Sequence, residues 1–147
     1  MVGMKATYEG ELHCMIEHEP SGCVITTDAP KDNHGKGESF SPTDLLGAAL
    51  SSCILTTMGI YAKKEGIDLD GAMATVTKGM SANPRRVGQL PVKVFMPSGI
   101  PHDKRKALED IAHNCPVVLS LSKDIAAQIE FEYRETVVPK PNGKSLP

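Results

Sequence analysis

Four cysteines, Cys14, Cys23, Cys53 and Cys115, are the residues of this sequence whose types and positions most clearly allow chemistry. Cys115 directly precedes Pro116, and proline fits the first position of a helix, so Cys115 is expected to cap a short helix. The positive end of the helix dipole would favour the thiolate at that position. Cysteine is not a preferred cap, which indicates a reactive thiol, although a capping role alone would also explain the residue.

Cys53 lies in the middle of a predicted long helix, within the segment "SSCILTT". The hydroxyl groups on both sides could hydrogen-bond a thiolate, or they could bond back to helix carbonyls. A lone cysteine in an apolar helix is otherwise most often a small buried hydrophobe. Paired with Cys115, it would suit two-step redox chemistry, in which one thiol attacks a peroxide and the other condenses with the sulfenic acid to form a disulfide. The residues alone leave open whether the two thiols meet.

Cys14 and Cys23 lie on two predicted strands of a hairpin with its tip at residues 20–21. That tip would pair Cys14 with Thr27 and Cys23 with His18, so the two thiols would not face each other. Histidines nearby raise the alternative of a zinc site. The segment lacks the close CxxC or HxxxH pairs on which such sites are built, so structural cysteines and no metal are expected.

A long helix over residues 42–65 is the most clearly defined element. Ser41 is a suitable N-cap, Pro42 fits the first helical position, and Asp44 completes a capping-box-like arrangement. Gly66 suits the position just after the last turn. The helix is apolar or small on nearly every face, which predicts that it is buried on most sides.

The remaining segments predict strands and helices in blocks. Two strands are predicted in residues 4–30, a hairpin in residues 68–99, a helix in residues 101–114 with Asp103 as its N-cap, a short helix after Cys115 and a last strand in residues 126–135. This order indicates an α+β fold with a mostly antiparallel sheet and its helices gathered together. Residues 1–147 are expected to form one domain, with extended or frayed termini at residues 1–4 and 135–147.

The composition is that of an ordinary soluble domain, with 23% charged and 40% hydrophobic residues. A net charge of −2 gives no reason to expect binding to nucleic acid or to an anionic membrane. The N-terminus has no apolar signal segment and no run approaches 18 apolar residues, so neither export nor a membrane span is expected. A cytoplasmic location follows as an expectation, where thiols stay reduced unless their oxidation is part of a function.

Three features together resemble the OsmC/Ohr family, that of osmotically inducible protein C and organic hydroperoxide resistance protein. The segment "SPTDLLGAALSSCILT" resembles the family's N-P-E-x-L-x-A-A-x-x-x-C helix, and "HNCPVVLSL" resembles its second cysteine motif. The order of strands and helices also agrees, and the resemblance spans about residues 5–134. It implies that Cys53 is the peroxide-attacking cysteine and that Cys115 is the resolving cysteine.

The resemblance implies a fold, an assembly and an activity. Family members are intertwined homodimers in which a mostly antiparallel sheet wraps around long central helices, with two active sites at the subunit interface. They reduce organic hydroperoxides, and some reduce hydrogen peroxide, without a metal or a bound cofactor. A dithiol reductant such as a lipoylated protein restores their thiols. The implied function is therefore a thiol peroxidase in oxidative stress defence.

The sequence departs from the family where the attacking thiol is activated. Peroxidase members pair a glutamate after the N-P with an arginine from the N-terminal half, but here Thr43 takes the glutamate position and residues 1–84 contain no arginine. Candidate substitutes are Arg85 or Arg86 reaching across a dimer, Asp44 in place of the glutamate, and Lys36 or His34 in the loop before the helix. The alternative is an OsmC-like protein without peroxidase activity, which acts on another electrophile or binds an apolar ligand at the dimer interface.

Overall fold

The computed structural model describes residues 1–135, so all but the first residue of the predicted C-terminal tail lies outside the described residues. The elements are β1 (Met4–Gly10), β2 (His13–His18), β3 (Cys23–Asp28), a short 3-10 turn (Lys31–Asn33), α1 (Pro42–Glu65), β4 (Met73–Val76), β5 (Gly79–Ser81), β6 (Arg86–Gln89), β7 (Val92–Met96), α2 (His102–His113), α3 (Pro116–Ser120) and β8 (Ile129–Tyr133). The α+β class is confirmed.

The first three strands form an antiparallel sheet in the order β1-β2-β3. The prediction of two strands in this region was wrong, because Glu11 and Leu12 turn the chain with positive φ angles of 51° and 62°. Neither residue is a glycine or an asparagine, and the glycine of this turn, Gly10 with a φ of 90°, precedes them, so the usual signal at the two central positions of a hairpin is missing. The predicted register is confirmed: Cys14 lies opposite Thr27, and Cys23 lies opposite His18.

One face of this sheet is mostly apolar, and the described chain leaves much of it uncovered, although Thr27 at one end is 4% exposed. Side chains alternate between the two faces of a strand, and residues paired across strands share a face. Met4, Tyr8 and Ile25 on this face are each largely exposed. The buried core cluster takes no side chain from β1, β2 or β3. We call the set the apolar sheet face; its members are Met4, Ala6, Tyr8, Cys14, Ile16, His18, Cys23, Ile25 and Thr27.

The predicted second hairpin is present but interrupted. Pro91 has no N–H to donate within a ladder, and the two long arms divide into four short strands around it. β4 pairs with β7, β5 pairs with β6, and β8 joins β7 in parallel. The strand pairs are therefore antiparallel except for β7 with β8, in agreement with the predicted mostly antiparallel sheet.

α1 has the predicted bounds and both predicted ends. The Ser41 side chain accepts from the Asp44 N–H while the Asp44 carboxylate accepts from the Ser41 N–H, and Gly66 ends the helix with a φ of 66°. One stripe of α1, including Leu50, Ile54 and Met58, packs on β7 and α2 residues in the core.

The prediction that α1 is buried on most sides is not met within one chain. Only 28% of the most apolar 18-residue segment of α1 is buried within the protomer. By length and composition alone, the helix could span a membrane. The core helix of a soluble protein meets the same two criteria, so they are weak evidence for a membrane. The exposed apolar residues Ile60 on α1 and Leu119 on α3 extend the uncovered surface.

The two helices after β7 lead to the second cysteine motif. α2 begins at His102 with Pro101 at its N-cap, so the prediction of Asp103 as the cap was wrong by two positions. Asp103 instead lies in the first turn, where a negative charge is favoured by the helix dipole. Asn114 ends α2, and α3 starts directly after Cys115.

Candidate active site

Cys115 caps α3 as the sequence predicts. Its backbone is extended, with φ −65° and ψ 149°, and Pro116 takes the first helical position. Its Sγ accepts a hydrogen bond from the Val118 N–H at 3.5 Å. The residue is 1% exposed, so the thiol lies inside the core and not at the surface.

Cys53 neighbours Cys115 across the contact between α1 and α3. Cys53 is half-buried and packs against the core cluster to which Cys115 belongs, and the two are not joined by a disulfide. Burial raises the pKa of the Cys115 thiol, and the Cys53 thiol beside it acts in the same direction. The N–H groups of Val118 and Val117 oppose this increase but do not cancel it.

The direction of that shift corrects one expectation. The helix start was expected to favour a Cys115 thiolate, but desolvation outweighs the helix N–H groups and keeps Cys115 protonated at neutral pH. The better placed thiol for attack on a dissolved molecule is therefore Cys53, which is partly open to solvent. The two thiols thus differ in environment although both belong to one cluster.

The hydroxyl groups beside Cys53 bond to the helix and not to its sulfur. Thr57 Oγ1 donates to the carbonyls of Cys53 and Ile54 at 2.9 and 3.1 Å. Ser51 and Ser52 donate to carbonyls three residues earlier. Of the two alternatives left open by the sequence, back-bonding to carbonyls is the one observed.

Thr43 and Asp44 do not lie beside Cys53 in the same chain. Asp44 precedes Cys53 by nine residues, which is about two and a half helical turns and about 14 Å along the axis. It therefore points from the opposite side of α1. Thr43 is about 15 Å away along the axis and faces the start of the helix.

Lys78 was missed by sequence reasoning and binds this first turn. It lies between β4 and β5, and its Nζ is 2.6 Å from Asp44 Oδ1 and 2.7 Å from Thr43 Oγ1. A third hydrogen bond, of 3.2 Å, goes to Ser41 Oγ. Burial pushes the pKa of Asp44 up, but the hydrogen bonds from Lys78 and Ser41 outweigh it, so this pKa lies below its usual value. Lys78 is 35 residues from Thr43 in sequence, so no local pattern signals the contact.

The cations proposed from the sequence lie elsewhere in the described part of the chain. Arg85 Nη2 is 3.5 Å from Asp32 Oδ2, and both side chains are exposed. Arg86 donates to the Val87 carbonyl, while Lys36 pairs with an exposed glutamate. His34 is exposed as well. A contact across a subunit interface remains a prediction for these residues.

A second polar cluster, also missed, joins the first sheet to the loop before α1. Asp28 is buried at the end of β3; it pairs with His13 Nδ1 and accepts from the Glu38 N–H at 3.0 Å. The hydrogen bond to Asp28 raises the pKa of His13, and the same bond lowers the pKa of Asp28. In residues 1–135 no group of three or more His, Cys, Asp or Glu side chains is arranged to hold a metal ion.

A half-exposed thiol on a long helix beside a buried thiol that caps a second helix, within this α+β fold, defines a two-cysteine protein of the OsmC type. The chain belongs to the OsmC-like family, whose model matches residues 35–130, well over half of the sequence. No curated protein matches the chain.

Solved structures place the fold in the same family. An osmotic stress induced and detoxification response protein of Psychrobacter arcticus 273-4 is 42% identical, with a TM-score of 0.86 over 90% of this chain and 96% of that one. An organic hydroperoxide resistance protein OsmC of Legionella pneumophila is 19% identical, with a TM-score of 0.69 over 90% and 96%. One from Vibrio cholerae, with captopril in one active site, is 17% identical, with a TM-score of 0.68 over 89% and 90%. The last two similarities concern the fold.

Proposed function

We propose that this protein is a thiol peroxidase that reduces organic hydroperoxides through Cys53 and Cys115. The observation that supports it is the pairing of a half-exposed Cys53 with a buried, protonated Cys115 on neighbouring helices. Hydrogen peroxide is a second substrate of the same chemistry. Oxidative stress defence and a cytoplasmic location belong to the same proposal.

The reaction needs only the two thiols and an external dithiol. The Cys53 thiolate attacks the hydroperoxide, the O–O bond breaks, and the alkoxide takes up a proton and leaves as the alcohol. Cys53 is then a sulfenic acid. Cys115 attacks its sulfur, the S–O bond breaks, and the Cys115 proton leaves with hydroxide as water, which forms the disulfide. A dithiol, such as a lipoylated protein, reduces that disulfide with two electrons and two protons.

The difference between the thiols supports this order of events. A thiolate is the nucleophile in both steps, so the thiol that is partly exposed and less desolvated is suited to meet the peroxide first. The raised pKa of Cys115 keeps it protonated in the resting protein, so it does not compete for the peroxide. After the first step, Cys115 is already adjacent to the sulfur that it must attack.

We also propose that the active protein is a homodimer. Two uncovered apolar surfaces support this: the apolar sheet face, and the side of α1 that the protomer leaves exposed. Monomeric soluble proteins rarely leave extended apolar patches in water. Cys14 and Cys23 lie on the apolar sheet face, which gives them a structural place in such an interface.

The test is disulfide mapping after a single oxidation. One equivalent of cumene hydroperoxide is added to the reduced protein, and disulfides are identified by mass spectrometry. We expect a Cys53–Cys115 disulfide that is absent from Cys53→Ser. The variant Cys23→Ser is the matched control, because it removes an exposed thiol outside the pair, and its disulfide should form as in the parent. Free thiols at both positions after several minutes would contradict the proposal.

A second candidate is thiol chemistry on an electrophile other than a peroxide. The observation that favours it is that, within residues 1–135, Arg85, Arg86, Lys36 and Lys78 bond to groups other than the two thiols. A panel of disulfides, activated esters and hydroperoxides, each tested on the parent and on Cys53→Ser, separates the candidates. Turnover of a non-peroxide alone would favour the second.

A further inference from the structure

Met4, His18 and Cys23 lie side by side across the first sheet. Met4 on β1 is opposite His18 on β2, and His18 is opposite Cys23 on β3. Residues paired across strands share a face, so all three side chains stand on the apolar sheet face. We call these three residues the Met–His–Cys row. Neighbouring strands are about 4.8 Å apart, so each side chain of the row is an immediate neighbour of the next.

Packing within the protomer does not account for this row. Met4 is 68% exposed, Cys23 is exposed and His18 is half-buried. The core cluster and the hydrophobic residues packed on it include neither Met4 nor Cys23. The hairpin tip at residues 19–22 is exposed as well, so a dissolved ion can reach the row from this end of the sheet.

The His18 imidazole is held by a hydrogen bond at one of its two nitrogens. His18 Nδ1 is 2.6 Å from Ser21 Oγ, which also accepts from the Cys23 N–H at 3.2 Å. When Nδ1 carries the ring proton and donates it to Ser21, the lone pair of Nε2 is available to a metal. Imidazoles that bind metals are typically oriented by such a bond from the other ring nitrogen. Ser21 is therefore suited to the position of an outer partner of a metal-binding His18.

The three donors of the row differ in kind from those of the metal sites considered above. A thioether, an imidazole and a thiol supply two sulfur atoms and one nitrogen. Hard cations such as Mg²⁺ and Ca²⁺ take oxygen ligands, and structural Zn²⁺ takes four ligands drawn from Cys, His, Asp and Glu. Within residues 1–135 no three side chains of those four types are arranged to hold a metal, and the row supplies only two. Thiolate and thioether donors select Cu(I) among the transition metals.

The charge of the bound ion agrees with the surroundings of the row. A Cys23 thiolate carries one negative charge, and Cu(I) carries one positive charge, so the bound centre is neutral. A divalent ion on the same donors would leave a net positive charge among apolar side chains, which is unfavourable. The apolar sheet face therefore favours a monovalent ion.

We propose that Met4, His18 and Cys23 bind one Cu(I) ion per chain, through the thioether sulfur, Nε2 and the thiolate. On binding, the Cys23 thiol releases its proton to water, and the copper does not change its oxidation state. The site goes beyond the proposed peroxidase function, because Cys53 and Cys115 take no part in it.

The test is a competition for Cu(I) under anaerobic conditions. The protein is the full chain with Cys53→Ser and Cys115→Ser, because two neighbouring thiols could bind Cu(I) themselves. The probe is Cu(I) supplied as its acetonitrile complex, and bicinchoninate is the competing chelator, whose coloured Cu(I) complex is followed by absorbance. We expect the protein to remove one equivalent of Cu(I) per chain from the chelator.

Two methionine variants provide the matched comparison. Met4→Leu removes the thioether of the row, while Met15→Leu makes the same change on β2, one position along from Cys14 and therefore on the opposite face of the sheet. Loss of an outer partner typically weakens metal binding about 10–100-fold, so loss of a direct ligand should weaken it at least about tenfold. Met15→Leu should bind Cu(I) as tightly as the double-serine protein.

Two cysteine variants locate the thiolate. Cys23→Ser should abolish the removal of Cu(I) from the chelator. Cys14→Ser removes a thiol on the same face, opposite Thr27 and four residues along the sheet from the row, and should leave binding intact. Circular dichroism of each variant reports whether the sheet is folded.

A further measurement needs no substitution in the row. Cu(I) is diamagnetic, so the side-chain nitrogens of His18 can be followed by NMR during the titration. We expect Nε2 of His18 to shift and the ring nitrogens of His34, which lies in an exposed loop, to stay unchanged. Equal affinities of Met4→Leu and Met15→Leu, binding that survives Cys23→Ser, or an unshifted His18 would overturn the inference. Failure of the peroxidase proposal is read separately, from the disulfide of the parent protein.

Discussion

Two neighbouring residues on β3 provide a matched test of the dimer. Ile25 lies on the apolar sheet face and is 47% exposed, while Val24 points to the opposite face and is 49% exposed. Both are β-branched, and lysine is less favourable than either in a strand. Ile25→Lys and Val24→Lys therefore change strand propensity and protomer exposure to a similar extent. They differ in the face that receives the charge.

The expected effect follows from the area that a partner would cover. Full burial of an isoleucine side chain contributes about 1.5–3 kcal/mol, so covering the exposed half of Ile25 contributes about 1 kcal/mol. A lysine there loses this contribution. Its ammonium must also either leave water on entering the interface or displace the partner surface to stay in water, and either change costs at least a similar amount. In a twofold dimer the change occurs twice, so the loss is at least about 4 kcal/mol, or at least about 700-fold in the dissociation constant.

Sedimentation equilibrium over a range of protein concentrations measures that constant. We expect dissociation of Ile25→Lys at concentrations at which the parent and Val24→Lys remain dimeric. Circular dichroism and thermal melting of each variant report whether the protomer is folded. A parent that is monomeric throughout, or two variants with equal dissociation constants, would refute the assignment of the apolar sheet face to the subunit interface.

Three further outcomes follow from the polar contacts. Cys115→Ala should still be oxidised by hydroperoxide, but its Cys53 sulfenic acid should accumulate and be trapped by dimedone; the absence of a trapped adduct would contradict the two-step order. The pKa of His13 is raised in the folded protein. Its ion pair with Asp28 is therefore fully present below the ordinary histidine pKa of 6.5 and is lost as the pH rises through the higher pKa of the folded state. The difference in free energy of unfolding between the parent and His13→Asn, measured with urea, should therefore be larger at pH 5.5 than at pH 9, and a difference independent of pH would be inconsistent with the pair. Lys78→Met should lower the free energy of unfolding by about 1–3 kcal/mol, because it removes three hydrogen bonds at a mostly buried ammonium. The control is Lys36→Met, which removes an exposed ion pair and should change the free energy of unfolding little. Equal effects of the two substitutions would refute the argument.

Elements with local signals were predicted correctly. The bounds of α1 follow from Ser41, Pro42, Asp44 and Gly66, whose effects act within one turn of the helix. The start of α3 follows from Cys115 and Pro116 for the same reason. The α+β class follows from the order of such segments, which needs no knowledge of contacts between them.

Contacts between distant segments were the part that the sequence did not reveal. Lys78 reaches Thr43 across 35 positions, and His13 reaches Asp28 across 15, so neither contact belongs to a helical or strand period. The turn at Glu11 was missed because its two central residues, Glu11 and Leu12, adopt left-handed conformations without the glycine or asparagine that usually occupies those positions.

The thiol pair shows why position in a helix was not sufficient to assign reactivity. The cap geometry of Cys115 was predicted correctly, but its protonation was not, because the helix N–H groups compete with nearly complete burial and with the neighbouring Cys53. A buried thiol that keeps its proton is slow towards a dissolved peroxide, and it must lose that proton before it attacks an adjacent sulfenic acid, because a thiolate is the nucleophile in both steps. Desolvation of Cys115 therefore leaves the first attack to the partly exposed Cys53, while the resolving role proposed for Cys115 is supported by its position beside Cys53.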